Sequence, residues 1–488
     1  MVWRNFEVHF SLKIGLGTDS SHALLQSKSD ALDQFSNKSK DVGVRSIRSM
    51  KPEIEAWPAE KLFTLDERIK AVRYARKEYD RLDSSKDIPR EELDELKRNL
   101  KRGNIKYVDQ LHLAHQSIYG QNPARQRLIH FWMNHFTIGG GEKPSNFTIG
   151  DVIQNVIGNG IDGYFSDLAY NVTRHPAMLT YLDNVYSVGE RSERGRKAGR
   201  KGQIGLNDNL AREVMELYTT SPSIGYNEKD IREAAKILSG WGDIFDNPNT
   251  IKNFKRARIK DFHEAYFKDK AEPGKKIVLG REYPDGKGAL RLWIDDLADS
   301  DHSARFLTRK LCIHFIADNP TEEDLAYVLS AWLDSKGHLP TVHQALLERV
   351  ILSTQSKIQW PITWLFTVLR SSQANLVQGF DELHTEILEM RGEYRIMTLL
   401  EEIGQDFWSR RQPDGYSISG SDWISPEHFE RRMRLAAMIH DHGKPARKAD
   451  ELMDLFDVSN STRELVDKGK TSRQRFVLLA CCRELMGA

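Results

Sequence analysis

Apolar residues return at every third or fourth position along nearly the whole chain, and that period constrains the fold more than any other feature. A 3.6-residue repeat builds helices with one apolar stripe and is incompatible with the two-residue alternation of a half-buried strand. Residues 58–82 carry Leu62, Ile69, Val72 and Tyr79 between charges, which predicts one long amphipathic helix. Residues 86–102 (KDIPREELDELKRNLKR) predict a second, very polar one. Together they make 58–103 a helical hairpin, expected either as a solvated arm or as an arm that docks a partner.

Later helices announce their ends. Asn227 with Asp230 opens NEKDIREAAKILSG and Gly240 closes it, while Thr321 with Asp324 opens TEEDLAYVLSAWLDSKG and Gly337 closes that one. Pro361 opens ITWLFTVLRSS, and Ser425 before Pro426 opens the run through Ile439. Alternation is confined to KKIVLGREYP (275–284) and FEVHFSLKIG (6–15), enough for a small hairpin or edge strand. The expected fold is therefore all-α. An N-terminal segment (1–57) packs on a large multi-helix domain (104–488) that carries the hairpin and a flexible basic loop at 187–203. That loop, SVGERSERGRKAGRKGQ, holds six basic residues, two acidic ones and four glycines. It reads either as a solvated insertion or as a loop that embraces a partner.

Charge and cysteine content narrow the function classes. Lys and Arg number 71 against 70 Asp and Glu, so no global field attracts polyanions and nucleic acid is not an expected partner. Cys312, Cys481 and Cys482 are too few for a disulfide framework and have no C-x-x-C spacing for zinc, which fits a reducing compartment. The start of the chain has no basic-then-apolar leader, and no run approaches the ~18 apolar residues of a membrane span. A cytoplasmic setting with no membrane span is expected.

Two segments carry the best chemistry. In RLIHFWMNHF (127–136) helical spacing puts Leu128, Phe131, Trp132 and His135 on one face, with His130 and Asn134 turned elsewhere. A histidine on an apolar face either hydrogen-bonds a backbone carbonyl or serves as a metal ligand or acid/base. In GLNDNLAREVMELYTTSP (205–222) the residues Leu210, Ala211, Val214, Met215, Leu217 and Tyr218 share an apolar arc, leaving Arg212, Glu213 and Glu216 together on the rest. Arg212 and Glu216 make an i, i+4 pair, so the segment is either an ion-paired surface or a pair of carboxylates able to chelate a cation or divide acid and base roles. His440, Asp441 and His442 in IHDHGKP sit at a helix end, where favourable terminal charge is the expected role. The chain has no G-x-G-x-x-G after a strand, no P-loop, no H-E-x-x-H and no G-x-S-x-G, so no nucleotide cofactor is indicated.

With these residues in view, the chain resembles the bacterial family called domain of unknown function 1800, from about residue 8 to the C-terminus. The resemblance lies in FWMNHF (131–136), PAMLTYLD (176–183), NDNLAREVMELYT (207–219), YNEKDIREAAKILSGW (226–241), GKKIVLG (274–280), RKLCIHFIADNP (309–320), WPITWLFTVLR (360–370), GQDFWSRRQPDGY (404–416) and DWISPEHFERR (422–432). It departs from the family pattern at Met133, where relatives carry His, at Asp208, where they carry Glu, and at Ala271 and Glu272, where they carry His-Asp. The resemblance implies a mainly helical fold and brings no activity, but it raises His135, Asn209, Arg212, Glu213 and Glu216. The resulting expectation is an enzyme in which His135, Glu213 and Glu216 bind a divalent metal (iron, manganese or zinc). Arg212 and Asn209 then position a polar substrate for oxidation or hydrolysis. The alternative is a non-catalytic helical scaffold that meets a partner through 58–102 or 187–203.

Overall fold

The computed structural model describes residues 12–16, 62–84, 88–93, 104–120, 122–139, 144–198, 205–242, 262–374 and 396–487. Helices run in chain order as α1 (Leu65–Asp83), α2 (Asn104–Tyr119) and α3 (Pro123–His135). An interrupted helix α4 is made of Ile149–Asp151, a π-helical Val152–Ile157 and Gly158–Gly160. Then come α5 (Phe165–Thr173), α6 (Pro176–Tyr181), α7 (Glu193–Ala198) and α8, which is α-helical over Asn209–Glu213 and π-helical over Val214–Thr219. α9 (Glu228–Leu238) precedes the antiparallel hairpin β1 (Lys276–Val278) and β2 (Arg281–Tyr283), in which Ile277 pairs with Glu282. The second half is helical: α10 (Gly288–Ala298), α11 (Asp301–Phe315), α12 (Glu322–Ser335), α13 (Leu339–Leu352), α14 (Pro361–Ser372), α15 (Ile396–Glu402), α16 (Pro426–Gly443), α17 (Ala449–Leu455), α18 (Asn460–Asp467) and α19 (Ser472–Ala480).

The fold is thus mostly helical with one small hairpin, and the expected caps are in place. Asn227 with Asp230 and Thr321 with Asp324 close reciprocal capping boxes, and the Ser425 side chain accepts from the His428 N–H ahead of α16. From Arg127 to His135, α3 is buried on every side. Trp132 is fully enclosed, donating its indole N–H to His343 Nε2 at 3.2 Å, so α3 is a central helix around which the others pack. The chain end returns to this core, with the Gln359 N–H donating to Met486 O at 2.9 Å. Cys312, Cys481 and Cys482 are free and buried, and no helix among the described residues is long and apolar enough to cross a membrane.

Four expectations change. His130 and Asn134 do not look away from the core, because α3 has no solvent side from Arg127 onward: His130 is fully buried against Ser117 Oγ (3.1 Å) and Asn134 is 3% exposed. α1 does not project. Its Arg68 is fully buried and forks onto Asp109 of α2 (2.5 and 2.8 Å), and Leu65, Ile69 and Val72 pack with Ala265 and Phe267. Residues 90–93 begin the second helix of the expected hairpin, and 94–103 lie outside the described residues. The basic loop is tied down over its first part, for Arg191 pairs with buried Glu272 (2.6 Å), Arg194 with Asp269 (2.8 Å), and Glu193–Ala198 is helical; residues 199–204 lie outside the described ones. Finally, Leu12 and Lys13 are helical rather than extended, with Leu12, Ile14 and Leu16 in the main core; 6–11 lie outside the described residues.

Candidate functional site

The two chemistry-bearing segments meet through one hydrogen bond. α8 widens from α to π geometry at Val214, and its closing threonines serve the wider register: Thr219 Oγ1 donates to Val214 O (2.6 Å) and Thr220 Oγ1 to Met215 O (2.9 Å). At this end the carbonyl of Tyr218 turns to α3, where His135 Nε2 meets it at 3.0 Å. A carbonyl only accepts, so Nε2 carries the proton and Nδ1 carries the lone pair. Lys310 of α11 donates its ammonium to that Nδ1 at 3.1 Å. Burial, then the Lys310 charge, hold the imidazole well below its ordinary pKa, so it is neutral at pH 7. Both nitrogens of His135 are thus engaged in hydrogen bonds. Of the two roles expected for that histidine, the structure shows the hydrogen bond to a backbone carbonyl.

Glu213 remains chemically distinctive. It is part-buried, and burial followed by the charge of Glu216 pushes its carboxyl up to about 7, against the pull of Arg212. Burial also brings the Lys310 ammonium down to about 8. The charge of Asp414 acts on Glu213, on Lys310, and on the tyrosines 181 and 218, so the five groups share one neighbourhood. Asp414 is held there by the 404–416 stretch. Asn134 accepts the Tyr416 N–H (2.8 Å) and donates to its carbonyl (2.9 Å), and the Tyr181 hydroxyl donates to Arg411 O (2.9 Å). Arg410 pairs with Asp414 at 3.0 Å.

Arg212 and Glu216 are engaged with the start of α9 and with Tyr226. Arg212 forks onto Glu228 in the first turn of α9 (2.9 and 3.2 Å) and reaches Glu216 at 3.4 Å, and Glu216 also accepts from the Tyr226 hydroxyl. Asn209 is exposed, its N–H donating to Asn207 Oδ1. Glu272, one of the departures from the family pattern, is spent on Arg191, and Met133 lies in an apolar pocket with Phe407 and Trp408. His440 pairs with Asp441, which Arg473 of α19 also holds, an inter-helix contact.

A second cluster was not legible in the sequence. Asp151 at the start of α4, His175 before α6 and His263 bring three ligand atoms within 4.8 Å of one another, the group of that kind found among the described residues. His175 Nε2 lies 2.9 Å from Asp151 Oδ2 and His263 Nε2 lies 4.0 Å from it. The other His175 nitrogen, Nδ1, accepts the Ala177 N–H as the cap of α6 (3.1 Å). That cap places the proton on Nε2, where Asp151 accepts it. A cation at Nε2 would drive the proton onto Nδ1, opposite another N–H donor, so the donor set fits a hydrogen-bonded dyad better than a metal centre. The only sequence signal was His175 directly before Pro176; its partners lie 24 and 88 positions away, beyond any periodic pattern.

Compared with known proteins, residues 21–476 match the model of a family described as protein of unknown function (DUF1800). No curated protein and no solved structure matches the chain.

Proposed function

For a chain that belongs to the DUF1800 family, we propose an enzyme that works on a polar substrate by general acid–base chemistry, with hydrolysis as the reaction class. The observation that carries the reading is that a part-buried carboxyl raised to about 7, Glu213, and a buried ammonium lowered to about 8, Lys310, both feel the charge of one acidic residue, Asp414. Paired groups whose environments bring both near neutrality are how one site supplies a base and an acid together. In this reading Glu213 is the base and Lys310 the acid. His135 positions Lys310 through Nδ1, and the Tyr218 carbonyl fixes that histidine's tautomer. Arg212 and Asn209 then have no direct place at the reacting atoms.

The sign of the pH dependence follows. The base must be ionised and the acid protonated, so activity rises through about 7 and falls through about 8, a narrow bell. A screen of chromogenic esters, amides and glycosides should find a substrate whose profile has this shape. Glu213→Gln should remove the rising limb and Lys310→Met the falling one. A hydrolysis unaffected by either substitution overturns the reading. Metal analysis is the control for the metal-dependent alternative: stoichiometric iron, manganese or zinc lost in Glu213→Ala/Glu216→Ala would restore that alternative and displace this one.

Stability carries the same signature independently of substrate. The Glu213 carboxyl is raised from an ordinary 4.5 to about 7, so between those values the folded chain binds the extra proton. Its contribution is therefore neutral below 4.5 and becomes unfavourable as pH rises through the folded value. Glu213→Gln should leave the melting temperature unchanged at about pH 4.5 and raise it above the parent's at about pH 8.

One observation favours the scaffold reading for part of this segment. Arg212 ties α8 to α9 through Glu228, an exposed pair whose contribution is small and screened by salt. Arg212→Met is expected to lower the melting temperature slightly at low salt, to match the parent at high salt, and to shift only the rising limb of the pH profile, to higher pH, because the pull of Arg212 on Glu213 is gone.

A further inference from the structure

Between α2, α3 and α4, with Leu62 and Trp408 also on its wall, lies a cavity of about 390 Å³. It is separate from the Glu213 neighbourhood and shares no residue with it. Its volume falls at the small end of the range for sites that enclose small organic ligands. One wall is the π-helical stretch Val152–Ile157, a geometry that recurs at functional sites because it re-aims side chains out of the regular ladder.

The charges on the wall are spoken for. Arg125 forks onto Asp162 (2.7 and 2.8 Å) and also donates to Gly158 O, so no cation is left to bind an anion. Asp109 is spent on Arg68 and on the Gln154 amide (3.2 Å), so no carboxylate is left for a cation. Burial, with help from His115 and Arg68, pushes His112 down to about 3, which keeps it neutral.

What remains polar is carboxamide. Gln116, Asn122, Gln126, Gln154, Asn155 and Asn159 all line the space. Each side chain offers two donors and an acceptor oxygen with two lone pairs, the mixture that matches a hydroxyl group, itself donor and acceptor at once. Several are already oriented: Asn122 Oδ1 accepts from the Arg125 N–H (2.9 Å), Asn155 Nδ2 donates to Asp151 (2.7 Å) and Asn159 Nδ2 to Asn155 O (2.7 Å). Leu113, Ile129, Ile153 and Trp408 supply an apolar wall for C–H faces. Trp408, whose indole Nε1 is buried without an acceptor, is shared between this wall and the apolar pocket beside Met133.

We propose that this cavity binds a neutral, hydroxyl-rich small molecule of mono- to disaccharide size. Rigid carboxamides recognise its hydroxyls, the apolar wall takes its C–H face, and the paired charges reject ionised analogues.

The test uses the full chain, with ligand-observed NMR and thermal shift. The neutral probes are glucose, N-acetylglucosamine, maltose and cellobiose, and the charged counterparts are glucuronate and glucosamine. At least one neutral sugar should bind and the charged forms should bind more weakly. Gln126→Leu/Asn159→Ala removes two of the more exposed carboxamides and should weaken that sugar about tenfold or more at an unchanged melting temperature. Gln126→Glu, nearly isosteric, should lose the neutral sugar and gain glucosamine, which keeps the test open if the double variant folds poorly. The proposal is overturned by no neutral sugar binding, by tighter binding of a charged form to the parent, or by unchanged affinity in these variants.

Discussion

Asp109→Ala is expected to destabilise the chain by about 3–5 kcal/mol, the cost of leaving a buried cation without its counter-charge. Arg68 is fully buried and its fork closes on both Asp109 oxygens at 2.5 and 2.8 Å. Its remaining donors go to carbonyls, Nε to Phe63 O (2.9 Å) and Nη1 to Phe147 O (3.1 Å), and carbonyls do not neutralise a guanidinium. Unfolding entropy of about 2.1 cal/mol/K per residue makes a chain of 488 residues lose only about one degree per kcal/mol, so the melting midpoint should fall by about 3–5 °C. The control is Arg68→Met/Asp109→Leu, which removes the charges together and should return to within about 1–2 kcal/mol of the parent or exceed it. If the single and double variants melt alike, the loss is one of packing and not of charge. The pair also anchors α1 to α2, so proteolysis within α1 should rise in Asp109→Ala alone.

Gly139→Ala should have the next largest effect, because it acts on the fold and the site together. A Cβ at position 139 would lie 1.6 Å from the backbone oxygen of Arg410, far inside contact distance and against main chain that has no rotamer to change. The 404–416 stretch must then lift, straining the two Asn134–Tyr416 bonds and the Tyr181–Arg411 bond. Overpacking of this kind costs about 1–3 kcal/mol, with more possible where backbone must move. The same displacement carries Asp414 away from Glu213 and Lys310. The expected result is a lowered melting midpoint together with a pH bell displaced to lower pH, because without the charge of Asp414 Glu213 moves below about 7 and Lys310 below about 8. A variant that melts like the parent and keeps its pH profile would show that the stretch is free to shift.

Local signals reached far along this chain. Caps named the starts of α9, α12 and α16, alternation found β1 and β2, and the expected arc is buried at Leu210, Ala211, Val214, Met215 and Tyr218 and half-buried at Leu217. The errors have a common origin. A helical wheel assumes one dry face and one wet one, but α3 is enclosed by other helices, so His130 and Asn134 are as buried as His135. The wheel also assumes a constant 3.6-residue turn, and α8 abandons it at Val214 in favour of π geometry braced by Thr219 and Thr220. Charge density in residues 58–82 suggested a solvated arm because one arginine in a charged helix gives no hint that its partner, Asp109, waits 41 positions later.

The sequence alone determined the class of structure, since periodicity and caps are properties of neighbours along the chain, and it singled out Glu213 as a residue to watch. Only the tertiary structure decided what surrounds that carboxyl. Protonation, tautomer and partner choice depend on burial and on charges a few ångströms away. For Glu213 those charges are Glu216, Arg212 and Asp414, and for His135 the partners are Lys310 and the Tyr218 carbonyl, which α11, the 404–416 stretch and the widened end of α8 bring in from distant parts of the chain.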